Sequence, residues 1–99
     1  MRLRGRWVGA EQRTLPSGDH VVVARMVVPR EAGGVDTLDC AVWRPALRRR
    51  VLRLAEDAVV EVTGSLRRRF WRTAGGTASR YEVEVSGVRR VGAVGSPGR

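Results

Sequence analysis

Apolar and polar positions alternate along most of the chain, and the period changes once. In "LRGRWVG" the apolar Leu3 and Trp7 fall between Arg2, Arg4 and Arg6, the pattern of a half-buried strand. "LPSG" at 15–18 reads as a turn, because Pro16 presets its own φ and Gly18 tolerates a positive one. "HVVVARMVV" is rich in β-branched residues and predicts a second strand, with Val22, Ala24, Met26 and Val28 on one face and Arg25 on the other. Pro29 and Gly33-Gly34 interrupt it. "VDTLDCAVW" then predicts a third strand, with Leu38, Cys40 and Val42 facing one way and Thr37, Asp39, Ala41 and Trp43 the other.

After Trp43 the spacing becomes helical. Pro45 suits a first helical turn, and Leu47, Val51 and Leu54 fall at i, i+4 and i+7, with Arg48, Arg49, Arg50 and Arg53 mostly off that stripe. Alternation resumes from Val59 through Leu66 to about Trp71, and a fifth strand is expected from about Ser79 to Val91. The small residues and Pro97 of "GAVGSPGR" end the pattern, so one domain is expected over 1–91 and a short flexible tail over 92–99. The order β-β-β-α-β-β is that of an OB-fold, a five-stranded, mainly β Greek-key barrel with one short helix between strands three and four. A different five-stranded barrel would show the same order.

"RRRFWRTAGGTASRYEVEV" at 67–85 carries the chemistry. A two-residue turn centred on Gly75-Gly76 would set Trp71 opposite Arg80, Arg69 opposite Glu82 and Arg67 opposite Glu84, all on one face. The other face would collect Phe70 with Tyr81 and Leu66 with Val85 as the core side, leaving Arg68, opposite Val83, as a defect. The Arg-Glu pairs alone could be a solvent-facing ladder. The indole is different: on a polar face it hides little apolar area unless something stacks on it, and stacking a base contributes ~1–3 kcal/mol. Trp43 raises the same choice between a stacking ring and a cap on the barrel. Trp7 is expected in the core or at an oligomer contact, Arg48 to Arg50 on a solvated helix face, and His20 in a structural role.

Charge points the same way. The 99 residues hold 19 arginines, no lysine and 10 acidic residues, a formal charge of +9, which favours an anionic partner, nucleic acid first. Cys40 is the single cysteine and His20 the single histidine, so no intramolecular disulfide forms and no metal site is expected. There is no Gly-x-Ser-x-Gly elbow and no P-loop, so no catalytic residues, cofactor or small-molecule substrate are expected and the chain is not read as an enzyme. The longest apolar stretch, "VVVARMVV", is too short to span a bilayer, and the N-terminus lacks an apolar signal region. A soluble, cytoplasmic, nucleoid-associated protein is expected.

These stretches, in their order and spacing, resemble the bacterial single-stranded DNA-binding protein family. "TLPSGDHVVVARMVV" is similar to its turn and second strand, "DCAVWRPALRRRVLRLAEDAVVEVTGSLRRRFW" to its third strand, helix and fourth strand, and "GGTASRYEVEV" to its last turn and strand. The resemblance covers the chain to about Val91. It implies an OB-fold that assembles as dimers or tetramers and binds single-stranded DNA without strong sequence preference, in replication, repair or recombination. Trp43 and Trp71 match the family's stacking aromatics, Arg67 and Arg69 its basic hairpin positions, and Arg13 the basic residue before the turn. With Arg80, these are the expected DNA-binding residues.

The departures have consequences. Ala32 and Thr37 stand where family members often carry tryptophan, within a shortened "PREAGGVDT" loop, and Arg44-Pro45 replaces the glycine and lysine that open the helix. Fewer stacking platforms imply weaker binding or a smaller site. The chain ends in "GSPGR" rather than an acidic, Phe-terminated tip, so recruitment of repair enzymes through that tip is not expected. Alternative readings are an interaction subunit or primosome-like accessory factor that assembles with a tailed paralogue, and an RNA-binding OB module.

Overall fold

The computed structural model describes residues 1–92. Its elements are β1 (Arg2–Thr14), β2 (His20–Pro29), β3 (Val35–Val42), α1 (Pro45–Leu52), β4 (Ala58–Thr73) and β5 (Gly76–Gly92). The expected tail falls at 92–99, and all but its first residue lie outside the described residues. The strands close a barrel in the order β1-β2-β3-β5-β4, with β3 and β5 parallel through Cys40↔Val83 and Ala41↔Glu84 and the other pairs antiparallel. This is the OB-fold expected from the element order.

Closure depends on the length of β1. Its first part pairs with β4, from Arg2↔Thr63 to Trp7↔Ala58, and its second with β2, from Arg6↔Val27 to Thr14↔His20. A register shift between Val8 and Glu11 bends the strand from one partner to the other. Gly64 serves the same closure on β4: a Cβ there would run into the carbonyl oxygen of Glu84, beside a second register shift at Thr63/Gly64.

The alternation read from the sequence sorts the barrel interior. Val22, Ala24 and Met26 of β2, Cys40 and Val42 of β3, Val60 and Val62 of β4 and Val83 and Val85 of β5 are all buried in one cluster. Trp7 joins them at 1% exposure, which resolves its place in favour of the core. α1 lays Leu47 and Val51 into the cluster, and Leu54 packs against it, as the i, i+4, i+7 stripe requires. Each large side chain buried in this way contributes about 1.5–3 kcal/mol. Ala41 is buried as well, on the side away from the core, at the parallel seam opposite Glu84.

Beyond Gly64 on β4 and Val83 on β5, the last residue that β5 pairs with β3, the two strands leave the barrel as a finger, and every residue from Ser65 to Thr77 is exposed. Here the structure corrects the sequence reading twice. The turn centres on Ala74-Gly75, with Thr73 opposite Gly76, so Arg67 faces Glu82, Arg69 faces Arg80 and Trp71 faces Ala78. The positive φ, +134°, falls at Gly76 after the turn, which slides the turn by one residue and the register by two. An even slip keeps every side chain on its expected face. The second correction concerns the supposed core side. Leu66, Phe70 and Tyr81 are 49%, 63% and 57% exposed, because no further strand covers the finger. Phe70 lies opposite Ser79 and Tyr81 opposite Arg68.

Candidate functional site

On the outer surface of the barrel a groove of about 390 Å³ runs over β1, β2, β3 and β5, lined among others by Arg13, Arg25, Asp39, Arg80 and Glu82. The finger continues this surface, since Arg67, Arg69, Trp71, Arg80 and Glu82 share the outer side of the β4–β5 pair. The six residues singled out in the sequence therefore lie on one side of the molecule.

Four of them form two neighbouring ring–guanidinium pairs, since Arg69 and Arg80 stand opposite each other across β4 and β5. The Arg69 guanidinium sits 5.5 Å from the ring centroid of Trp43, and the Arg80 guanidinium 5.7 Å from that of Trp71. Arg69 Nε also donates to Glu82 at 2.9 Å, and Arg80 pairs with Asp39 at 3.4 Å. Arg67 reaches diagonally to Glu84 at 3.7 Å. The contacts expected from the direct-opposition register are thus made by diagonal neighbours, which long side chains on a twisted ribbon can reach. Arg13 stands further along the groove and pairs with Glu11 at 3.0 Å.

Trp43 is half-buried and Trp71 is 45% exposed, so each indole offers ring surface beside a guanidinium. The backbone of Trp43 is anchored by α1. Arg48, expected on a solvated helix face, instead turns back and donates through Nη1 to the carbonyl oxygens of Trp43 at 2.5 Å and His20 at 3.3 Å. His20 is anchored in turn, its Nδ1 lying 2.9 Å from Thr14 Oγ1.

The exposed arginines on this surface are largely matched by partly buried acids, Asp39, Glu82 and Glu84. Ion pairs with guanidiniums this open to water contribute about 0–1 kcal/mol, so the carboxylates orient the arginines without binding them tightly. Such a surface offers flat rings and cations that exchange partners readily, the combination that binds stacked, anionic ligands. Cys40 lies under the groove. Burial, with the carboxylates of Asp39 and Glu82 adding to it, pushes its thiol from the ordinary value of 9.0 up to about 12, which keeps it neutral and unreactive. On the outer face of β1 and β4, Glu61 gathers Arg89, Arg4 and Arg2, and the hydrogen bond from Arg89 is the main cause that holds its carboxyl below the usual range.

Sequence reasoning missed Arg25, which lines the groove and lies 3.7 Å from Asp39, and it misassigned Arg68, Phe70 and Tyr81. The signal for the latter was the arginine itself, since a charged residue among core positions marks a strand that has left the barrel. Among the described residues no cluster of three or more His, Cys, Asp or Glu side chains could hold a metal ion, and no helix is long and apolar enough to cross a membrane.

No family profile and no curated protein matches the sequence. Solved structures do match the fold. A mitochondrial single-stranded DNA binding protein from S. cerevisiae, Rim1, superposes with a TM-score of 0.76 at 13% identity, covering 94% of this chain and 95% of that one. A Plasmodium falciparum SSB in complex with ssDNA matches with a TM-score of 0.69 at 21% identity, covering 85% of this chain and 82% of that one.

Proposed function

We propose that this chain binds single-stranded DNA without sequence preference, by stacking bases on Trp43 and Trp71 and neutralising phosphates with Arg67, Arg69, Arg80 and Arg13. The observation that carries this is the two neighbouring indole–guanidinium pairs on the outer face of an OB barrel and its finger. Aromatic platforms beside cations bind any base, because every base has a π-face. The formal charge of +9 supplies long-range attraction to a polyanion. The likeness of the fold to the yeast and Plasmodium proteins supports the reading, as does the resemblance of the sequence motifs to the bacterial family.

In this reading the protein is a binding module rather than an enzyme. It works in the cytoplasm on exposed strands during replication, repair or recombination, and it assembles with further copies of itself as a dimer or tetramer. A second reading has a specific observation behind it: Arg67, Arg69 and Arg80 each have a carboxylate partner, as they would in an interaction subunit whose cations are structural. Equilibrium binding to a single-stranded oligonucleotide and to a duplex of equal phosphate content separates the two. Clear preference for the single strand supports stacking. Equal, weak binding to both supports the interaction subunit.

A further inference from the structure

The inner side of the finger has a composition unlike the outer one. Its β4 positions are Leu66, Arg68, Phe70 and Arg72, set opposite Val83, Tyr81, Ser79 and Thr77. Not one is acidic. Arg68 lies 5.0 Å from the ring centroid of Phe70 and 5.6 Å from that of Tyr81, and its Nε and Nη2 are held by Ser79 Oγ at 3.3 and 3.1 Å. Among the described residues neither Arg68 nor Arg72 has a carboxylate within ion-pair distance, whereas Arg67, Arg69 and Arg80 on the outer side all do.

We infer that this inner side, Phe70-Arg68-Tyr81, is a second stacking site for single-stranded nucleic acid, so that a strand held on Trp71 passes the finger and continues on its other face. The inference rests on the function proposed above and extends its binding site. Three features select the ligand. Two rings this exposed, with one guanidinium beside both, put three π surfaces within reach of one strand, and bases stack on arginine planes as they do on aromatic rings. Among the described residues, neither Arg68, between the rings, nor Arg72, beyond Phe70 towards the tip, is matched by a carboxylate, so both can take a phosphate. Trp71 and Arg72 are adjacent at the finger tip, on opposite sides, so one strand can contact both without a gap. A second copy of the chain fits less well, because packing two such faces together would oppose like charges.

The test compares wild type with a Phe70→Ala/Tyr81→Ala double variant; both residues are exposed, so the barrel is untouched, and a thermal melt verifies it. The probes are oligothymidylates of about 6 and about 20 nucleotides, one within and one beyond the ~4–16 nucleotides that an OB domain covers. The variant is expected to bind the short probe as wild type does, with the same tryptophan quenching, while losing on the order of tenfold in affinity for the long probe and covering fewer nucleotides of it. A Phe70→Trp variant gives a positive signal: its added fluorescence should be quenched by the long probe and not by the short. Unchanged affinity and coverage in the double variant, with tryptophan quenching intact, would overturn the second site and leave the first standing. Its overthrow would also follow if the double variant changed only the oligomeric state, or only the capture of an acidic peptide. Absence of quenching in wild type by either probe would instead remove the function on which the inference rests.

Discussion

Arg69, from the finger part of β4, holds its guanidinium 5.5 Å from the ring of Trp43, which follows the end of β3, and so ties the finger to the barrel wall. The same arginine donates to Glu82 at 2.9 Å, and Glu82 is the more enclosed partner, with a side chain 13% exposed against 44%. Arg69 is thereby aimed before any ligand arrives. An aimed cation beside a ring loses little side-chain freedom on binding.

Replacing Glu82 with glutamine keeps an acceptor for Arg69 and removes a negative charge from the binding surface. Glu82→Gln is expected to raise single-strand affinity by roughly two- to fivefold and to steepen its salt dependence. Titrations at several salt concentrations check this; weaker binding would mean the carboxylate charge is needed to hold the arginine.

Trp71 is exposed enough that its loss leaves the core intact. Trp71→Ala should weaken single-strand binding by ~1–3 kcal/mol with no change in melting temperature. Unchanged affinity would return Trp71 to a surface contact with Arg80.

Arg67 and Arg69 act through charge. Arg67→Ala and Arg69→Ala should each reduce the magnitude of the logarithmic salt slope by ~0.7, one phosphate of a single strand apiece. A slope that does not move would show that Glu84 and Glu82 keep them.

Arg48 of α1 donates to the backbone carbonyl oxygens of Trp43 and His20, tying the helix to the end of β3 and the start of β2. Arg48→Ala should cost about 1–3 kcal/mol of stability and loosen Trp43, while Arg49→Ala and Arg50→Ala, on the exposed face, should be near neutral. Denaturant unfolding of the three variants provides the comparison.

Cys40 supplies a pH signature. Its thiol stays protonated in the folded protein up to about pH 12 but ionises near 9.0 once unfolded. Its contribution to stability is therefore complete below pH 9 and lost as pH rises towards 12. Cys40→Ser should flatten the alkaline limb of the stability profile. In the wild type a thiol reagent should label the chain at neutral pH only as fast as it unfolds.

Where side chains alternate against a covered core, the sequence was a sufficient guide. Leu38, Cys40 and Val42, and then Leu47 and Val51, face inward as their spacing requires, because burial punishes any other phase. The finger obeys no such rule. With both faces in solvent, nothing in its alternation marks the residue at which the barrel stops, and Phe70 and Tyr81 read as core. Its register was two residues out because the glycine freedom is used at Gly76, after the turn, rather than at its centre. The even slip is why the candidate face, and the Arg67–Glu84, Arg69–Glu82 and Arg80–Trp71 contacts, were nonetheless legible. Arg25 was not, since its place in the groove depends on how β2 lies beside β3 in the closed barrel.

The central claim is that bases stack on the indoles. The direct measurement is tryptophan fluorescence during titration with a mixed-sequence single-stranded oligonucleotide, in wild type and in Trp43→Phe and Trp71→Phe variants, with duplex DNA of equal phosphate content alongside. Strong quenching by the single strand, reduced in each variant and weak with duplex, is the predicted result. Salt-sensitive binding to both forms without quenching would contradict it and leave a basic barrel whose tryptophans face no base.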